Sequence, residues 1–265
     1  MSRLKIELRF LLALFELNIS SAMEYRASFI TQVLGMLINN GIYFVFWVIF
    51  FDKFGTIEGY GVSDIYLLFA VVTLSYGLAT LFAANVGANM AYLIAQGRLD
   101  YYLALPRPVL THVAFSHTNI SAFGDIIFAM IAFSLYGRTD WLSIVLFIVS
   151  ATAGALIFSG FAVLAGSLAF FMGNAQYASS QMTNGMLTFS FYPQSLFGGM
   201  ARFMLYTILP AGFIGAIPAE IIRSRDGTQL LIMLAGVVAV WAIALLTFHI
   251  GLRRYESGSA LNVNV

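Results

Sequence analysis

The sequence carries few side chains whose types and spacing fit bond chemistry. Its three histidines, His112, His117 and His249, are not spaced with carboxylates as metal ligands are. His112 and His117 are five residues apart, which does not match the i, i+4 geometry of one helical face. The metalloprotease pattern His-Glu-x-x-His and the hydrolase pattern Gly-x-Ser-x-Gly are absent. The histidines are therefore interpreted as structural or pathway-lining residues, and the chain is not predicted to be an enzyme.

Asp125 is the one carboxylate well inside a predicted membrane span. An acid within a membrane is a functional candidate by default, because its burial in lipid is costly unless it faces a cavity or a partner. The alternative is that Asp125 lies near the outer end of its span, hydrated or paired with Arg138 or Arg202. A proton or cation relay would need more members than this one residue.

Other polar and aromatic residues within predicted spans are candidates for lining a transport pathway. Asn39, Asn40 and Tyr43 lie in the middle of the first span, and mid-span polar groups usually face protein or a cavity. Phe189 and Tyr192 belong to an aromatic cluster in the fifth span. This cluster could line a path for a lipophilic substrate or form an interfacial belt in contact with lipid.

The segment 97–108 follows a long uncharged run and carries the most local information. At helical spacing Leu99, Tyr102 and Leu103 share one side, whereas Arg98 and Tyr101 point elsewhere. Such an element can lie on a membrane surface or fit into a partner's groove, and the alternative is an ordinary connection between spans. The candidate coupling residues are Gly97, Arg98, Leu99, Asp100, Tyr101, Leu103, Pro106 and Arg107.

The composition indicates that membrane-spanning helices position all of these residues. The 265 residues are 60% hydrophobic and 9% charged, far from the roughly 25% charged residues of soluble proteins. A net charge of +1 gives no strong field for nucleic acid, and the absence of cysteine excludes disulfides and thiolate metal sites. Lys5 and Lys53 are the only lysines, and neither lies in a phosphate-binding loop. The chain is therefore not predicted to contain an ATPase.

Hydrophobic patterning predicts a single membrane domain, 1–265, built from helices. Its first seventeen or so residues combine basic and apolar faces, which is typical of a helix lying in the membrane interface. The predicted elements are an interfacial helix at 3–21, spans at 26–51, 64–96, 109–136, 141–172, 177–199 and 228–252, a loop at 97–108 and a broken apolar segment at 202–226. Small residues recur at four-residue spacing in the fourth span and predict close helix packing, most simply within the chain: Ser150 with Gly154, Ala155 with Ser159, and Ala162 with Gly166.

The number of crossings depends on the segment 202–226. Pro210 and Pro218 interrupt it, so it is either a full crossing or a re-entrant hairpin supported by surrounding protein. The distribution of Lys and Arg does not separate six spans from seven, but it favours a cytoplasmic position for 97–108.

The order of these elements, with the pattern Gly-x-Leu-Asp-x-x-Leu-x-x-Pro, resembles the ABC-2 type permeases, and in particular their short bacterial members. The pattern is formed here by Gly97, Leu99, Asp100, Leu103 and Pro106. The resemblance covers the whole chain and implies an all-α, polytopic, type V-like exporter half. It implies six transmembrane helices, an N-terminal interfacial helix, a cytoplasmic coupling helix within 97–108, and a re-entrant outer hairpin at 202–226.

The same resemblance implies the partners. Two permease chains, identical or related, pair in the cytoplasmic membrane and bind two copies of a separately made ABC ATPase, which holds the ATP and Mg²⁺. No cofactor is expected in this chain, and no nucleic acid partner. Both termini would be cytoplasmic. In the family, the first, second and fifth spans face the dimer axis, which makes Asn39, Tyr43, Phe189 and Tyr192 pathway candidates.

The function expected from these inferences is ATP-driven export of an amphiphilic or hydrophobic substrate. The main alternative is a secondary transporter driven by an ion gradient, which would be expected to show several intramembrane acids and two similar halves. Only Asp125 meets the first expectation, and no internal repeat is visible.

Overall fold

A computed structural model describes residues 3–56 and 59–256 of the chain. Of these residues 81% are helical and none forms a strand, which confirms the all-α class. The end of the predicted domain, residues 257–265, lies outside the described residues. The helices are α1 Arg3–Glu24, α2 Arg26–Phe54, α3 Val62–Ala83, α4 Ala88–Ala95, α5 Leu99–Leu103, α6 Val109–Phe115, α7 Ala122–Tyr136, α8 Trp141–Ser167, α9 Ala169–Met172, α10 Gln176–Ser190, α11 Gly199–Thr207, α12 Ala216–Ser224 and α13 Gly227–Leu252, with short 3₁₀ turns at Gln194–Leu196 and Ala211–Phe213.

Within the described residues, four helical stretches are long and apolar enough to cross a membrane. They are Arg26–Phe54, Val62–Ala95, Trp141–Met172 and Gly227–Leu252. A bent pair, Gly199–Thr207 with Ala211–Ser224, would make a fifth if it counted as one span. The protein is thus a polytopic helical membrane protein, and six crossings stay a prediction.

The predicted third span, 109–136, differs from a single continuous helix. It consists of α6 and α7 separated by residues 116–121, which are not helical. Polar side chains explain the interruption, because they bond nearby groups that a helix would otherwise use. The Ser116 hydroxyl donates to the Val113 carbonyl at 2.7 Å, and the Asn119 Oδ1 accepts from the Ser121 backbone amide at 3.2 Å.

The N-terminal helix is longer than predicted. It continues through the expected stop at residue 21 and ends at Glu24, after which Tyr25 leaves the helical conformation with φ −103° and ψ 67°. Asn18 anchors it to the broken third span, since its Nδ2 donates to the Phe115 carbonyl and the Thr118 hydroxyl oxygen, both at 3.2 Å.

Helix α3 forms the centre of the bundle. It packs against α7 on one side and α8 on the other, and its run from Leu67 to Val72 is entirely buried. By contrast, α2 and α13 lie at the periphery with most of their apolar residues exposed. A helix that is apolar all round is expected at the core or against lipid, and both situations occur here.

Ion pairs hold the segment 202–226 against one end of the bundle. Its two helical parts, Gly199–Thr207 and Ala211–Ser224, bend by 68° at residues 208–210, which fits either a broken crossing or a re-entrant loop. Arg225, whose φ of 56° is left-handed, pairs with Asp140 at 2.8 Å, and Arg223 lies 3.7 Å from Asp64. A hydrogen bond from the Ser143 hydroxyl, assisted by Arg225, holds the pKa of Asp140 below its usual value. Asp64 lies in the first turn of α3 and Asp140 caps α8, so the segment sits where both helices begin.

The small residues of α8 pack within the chain, as predicted. All six are buried. A Cβ at Gly154 would collide with the Ser75 hydroxyl of α3, and one at Gly166 would lie 2.6 Å from the Gly87 carbonyl oxygen. The second predicted span is interrupted at residues 84–87, which are not helical. Gly87, with φ +69°, is the last of these residues and caps α4, so α8 packs closely against the interruption.

We predict that Gly166→Ala destabilises the protein by about 1–3 kcal/mol, because the new methyl group must displace a backbone carbonyl rather than a flexible side chain. The measurement is the thermal unfolding midpoint of the purified protein in detergent. Gly185→Ala in α10 is the matched control, since nothing lies within 4 Å of its added Cβ. Equal midpoints for the two variants would contradict the close packing of α8.

Candidate functional site

A cavity of about 610 Å³ lies between α2, α3, α7 and α10. Five of the six pathway candidates predicted from the sequence line it, namely Asn39, Asn40, Tyr43, Asp125 and Tyr192. The sixth, Phe189, does not line the cavity; its ring packs against Phe197 with centroids 5.9 Å apart. Other lining residues belong to α3 and α10, so side chains from four helices converge on one cavity.

Glycines allow the helices around this cavity to approach closely. A Cβ at Gly124 of α7 would lie 2.5 Å from the Val33 carbonyl oxygen and 2.8 Å from the Met36 Cβ of α2. A Cβ at Gly77 of α3 would lie 3.0 Å from the Asp125 Cβ. Helix α7 thus fits between α2 and α3 only because two positions lack side chains, which brings the Asp125 carboxyl to the cavity wall.

Asp125 is 1% exposed and forms one hydrogen bond across helices. The Asn40 Nδ2 donates to its Oδ1 at 2.7 Å, whereas its Oδ2 is buried without a hydrogen-bond partner. Asn40 is the fifteenth of the 29 residues of α2, so the pair lies midway along a full-length span. The outer-end alternative is therefore not supported, and Arg138 instead donates to the Arg223 carbonyl at 3.1 Å.

Aromatic rings form much of the cavity wall. Trp47 and Tyr192 contact edge to face at 5.4 Å, and Phe69 and Phe191 lie 4.8 Å apart. Tyr76 adds a hydroxyl group from α3. None of the lining residues is Lys, Arg, His or Glu. Asp125 is therefore the one carboxylic acid among the residues that line the cavity, and no basic side chain joins it there.

Sequence reasoning missed the contribution of α3, from which Thr73, Tyr76 and Phe69 line the cavity. Periodicity could not identify this face, because α3 is buried on nearly every side and its apolar pattern is almost continuous. Tyr76 and Thr73 are the only signal, as polar groups inside an uncharged run.

The predicted coupling segment, 97–108, has a buried and an exposed side. Gly97, with φ +68°, follows the end of α4, where the Arg98 amide donates to the Leu93 carbonyl at 2.9 Å. Leu99 and Tyr102 are buried, as their predicted shared face requires. Leu103 departs from that prediction: it is 42% exposed, because α5 ends there and no further helical turn covers it.

The exposed side of this segment forms a mixed apolar and basic ridge. Tyr101 is 65% exposed beside Leu103, and Arg98 and Pro106 are exposed as well. We call the exposed residues Arg98, Tyr101, Leu103 and Pro106 the loop ridge. Such a ridge on a short helix is suited to contact with a partner surface.

Arg107 points inward rather than toward the loop ridge. Its guanidinium pairs with the Glu7 carboxylate of α1 at 3.0 Å and lies 4.4 Å above the Phe10 ring. The Phe10 ring in turn contacts His112 edge to face at 5.1 Å. Helix α1 therefore holds the loop in place, through a contact that spans 100 residues and has no local sequence signal.

The C-terminal end also reaches this loop. Burial, with the nearby Asp100 carboxylate as a second cause, raises the pKa of the Tyr255 hydroxyl to about 12. Tyr255 lies three residues after the end of α13, and its ring packs 6.1 Å from the ring of Phe170 in α9. Both ends of the described chain thus meet beside 97–108.

Apolar helices of spanning length, a cavity between four helices and a loop held by contacts at one end define a polytopic helical membrane protein. A family model described as ABC-2 family transporter protein matches residues 37–259. The chain belongs to this family, which confirms the resemblance drawn from the loop pattern and the element order. Comparison with curated proteins and with solved structures gives no match.

Family membership makes the protein a membrane component of an ABC transporter. Permeases of this family associate with an ABC ATPase and are generally not catalytic themselves. Across the residues that the structure describes, no three His, Asp or Glu side chains are grouped so that they could hold a metal ion.

We predict that the double variant Glu7→Gln/Phe10→Ala loosens the loop, because Arg107 loses its ion pair and its aromatic contact. Together these partly exposed contacts stabilise the closed position of the loop by about 1 kcal/mol. Their loss should make amide exchange in 97–108 roughly fivefold faster. Hydrogen–deuterium exchange with mass spectrometry measures this. The control is Leu8→Ala, at an exposed position on the same helix. Unchanged exchange in the double variant would show that the contacts of Arg107 with Glu7 and Phe10 do not hold the loop in place.

Proposed function

We propose that the protein is the permease subunit of an ABC exporter that moves an amphiphilic or hydrophobic substrate across the cytoplasmic membrane. A separate ABC ATPase hydrolyses the ATP, and this chain performs no bond chemistry. The family match over 37–259 carries the proposal, and the lined cavity supports it. Export rather than import rests on the family alone.

In this proposal the loop ridge docks on the ATPase. Leu99 and Tyr102 anchor the segment to the bundle, which leaves Tyr101 and Leu103 free for a partner. Tyr102 also donates to the Ser116 hydroxyl oxygen at 3.1 Å, at the break between α6 and α7. Movement of the docked loop would therefore act directly on the interrupted span that carries Asp125.

The loop is also connected to the cavity from its other side. Helix α4 precedes the loop and joins α3 through the break at 84–87, while α6 follows it and joins α7 through 116–121. Both α3 and α7 line the cavity. ATP binding would shift the loop and tilt these helices between two arrangements. The ATPase and the substrate each bind the two arrangements with different affinities, and these differences couple ATP hydrolysis to transport.

We further propose six spans, with 97–108 and both termini in the cytoplasm and 202–226 as an outer re-entrant hairpin. The ion pairs to Asp64 and Asp140 support this, because they hold the segment at the end of the bundle away from the loop. Two permease chains and two ATPase copies would form the complex. The exposed face of α2 beside the cavity, at Ile42, Tyr43 and Phe46, supports a second chain there.

The secondary-transporter alternative receives little support. Within the described part of the chain, Asp125 is the only fully buried Asp, Glu, Lys or Arg side chain, whereas ion-coupled carriers use several such groups.

We predict that Tyr101→Arg/Leu103→Asp abolishes association with the ATPase, because both changes put charge into the apolar part of the loop ridge. The tagged protein is purified from membranes of its native cells in mild detergent. Wild type is expected to bring down a polypeptide with a Walker A sequence and vanadate-sensitive ATP hydrolysis, and the double variant neither.

The matched control is Phe54→Asp, at an equally exposed site at the far end of α2. It should retain the ATPase and the elution volume of wild type, whereas the loop variant should elute later as one symmetric peak, as expected for a folded permease without its ATPase. Retention of the ATPase by the loop variant would remove the docking role. Its absence from the wild-type preparation would remove the proposed function.

We predict that the protein reconstituted alone in vesicles accumulates no solute against its gradient when a pH or sodium difference is imposed, because it lacks an ion relay. Solute uptake is measured with and without an ionophore. Ionophore-sensitive uphill transport by the single chain would establish the secondary-transporter alternative instead.

A further inference from the structure

We propose, on the basis of the proposed function, that the substrate is a cationic amphiphile whose ammonium group pairs with Asp125 Oδ2 while its apolar body fills the aromatic cavity. The shared chemistry is a protonated amine on a hydrophobic body. It could be supplied by a small molecule or by the amine headgroup of a lipid.

The first observation is an acceptor without a donor. Asn40 serves Asp125 Oδ1 at 2.7 Å, but the buried Oδ2 has no hydrogen-bond partner, although the side chain lines a cavity of about 610 Å³. Buried polar groups in native proteins are almost always paired, and an orphan at a cavity wall marks a place for a ligand donor. Asn40 fixes the carboxyl through Oδ1, which leaves the buried Oδ2 as the oxygen without a donor.

The second observation is the absence of a countercharge among the lining residues. None of them is basic, so the protein offers Asp125 only uncharged donors. The Thr73 hydroxyl is already committed, since it donates to the Phe69 carbonyl at 2.6 Å. A carboxylate removed from water needs an opposite charge nearby, and a ligand ammonium supplies one, whereas an anionic amphiphile would be repelled.

The third observation is the aromatic wall. Tyr43, Trp47, Phe69, Phe191 and Tyr192 surround the chamber that holds the acid. Ring faces attract organic cations and also accept apolar chains, so one cavity suits both parts of an amphiphilic amine. The volume falls within the range of about 300–1,000 Å³ of pockets for drug-sized ligands.

The cavity also has an apolar border on its α2 side. Ile42 and Phe46 line it and are themselves largely exposed on the bundle surface. A lipophilic molecule can therefore enter the cavity past α2, either from the membrane or from the contact with a second chain, without passing polar side chains.

The test is equilibrium binding to the full chain in phosphatidylglycerol nanodiscs, without ATPase. The probes are a dodecylamine with a dansyl group at its far end and the same molecule with its amine acetylated, detected by tryptophan-to-dansyl energy transfer and corrected for empty discs. We expect wild type to bind the amine at least about tenfold more tightly than the acetamide, as a charge-assisted contact would give.

Asp125→Asn should remove this preference, with acetamide binding unchanged, because an asparagine oxygen still accepts from Asn40 but carries no charge. Asp52→Asn, an exposed site near the end of α2, is the matched control and should retain it. Equal binding of the two probes by wild type, or an undiminished preference in Asp125→Asn, would overturn the proposal. If the Asp125 variant does not fold, the comparison of the amine and acetamide probes in wild type decides whether the proposal stands.

A second arm adds phosphatidylethanolamine to the discs. Competition with the amine probe in wild type would identify the lipid headgroup as the amine source, and no competition would identify a small amphiphile. Either result keeps the amine assignment and fixes its source. Because no ATPase is present, failure here leaves the ATP-driven function standing, whereas failure of the pulldown leaves this binding result intact.

Discussion

The hydrogen bond from Asn40 to Asp125 is the contact on which the organisation of the cavity depends. It joins α2 to α7 at mid-span through two buried side chains, so the two helices must stay close. The lack of side chains at Gly124 and Gly77 makes that approach possible on both faces of α7. Removing one partner would leave the other buried and unpaired, which costs about 1–3 kcal/mol and explains why such pairs act as fixed points in a bundle.

Around this fixed point the bundle contains two interruptions, at 84–87 and 116–121, and both lie between the cavity and the loop 97–108. Continuous helices transmit displacement rigidly, whereas breaks let one half tilt relative to the other. The loop itself is held by α1 through Arg107 and by the C-terminal end through the neighbourhood of Asp100 and Tyr255. The architecture thus combines a firmly held loop with interrupted helical connections between that loop and the cavity.

Much of this organisation was accessible from sequence, because membrane burial imposes strong constraints on composition and length. The helical class, the packing of α8 through Gly154 and Gly166, and five of the cavity residues followed from uncharged runs, small-residue spacing and mid-span polar groups. Contacts between distant residues did not follow. Nothing local to Glu7 points to Arg107, the continuous apolar pattern of α3 hid the face bearing Thr73 and Tyr76, and the length of α5 decided the exposure of Leu103.

The interruption at 116–121 has a consequence for the lipid around the protein. The apolar helix that remains, α7, has fifteen residues and extends only about 22 Å, against a hydrocarbon core of about 30 Å. The bilayer beside this flank therefore becomes thinner unless other parts of the protein cover the shortfall, as α6 and the Asn18 region of α1 do at the break. Membrane thickness would then bias the conformation of this flank, and a thicker bilayer would resist whichever arrangement leaves it most exposed.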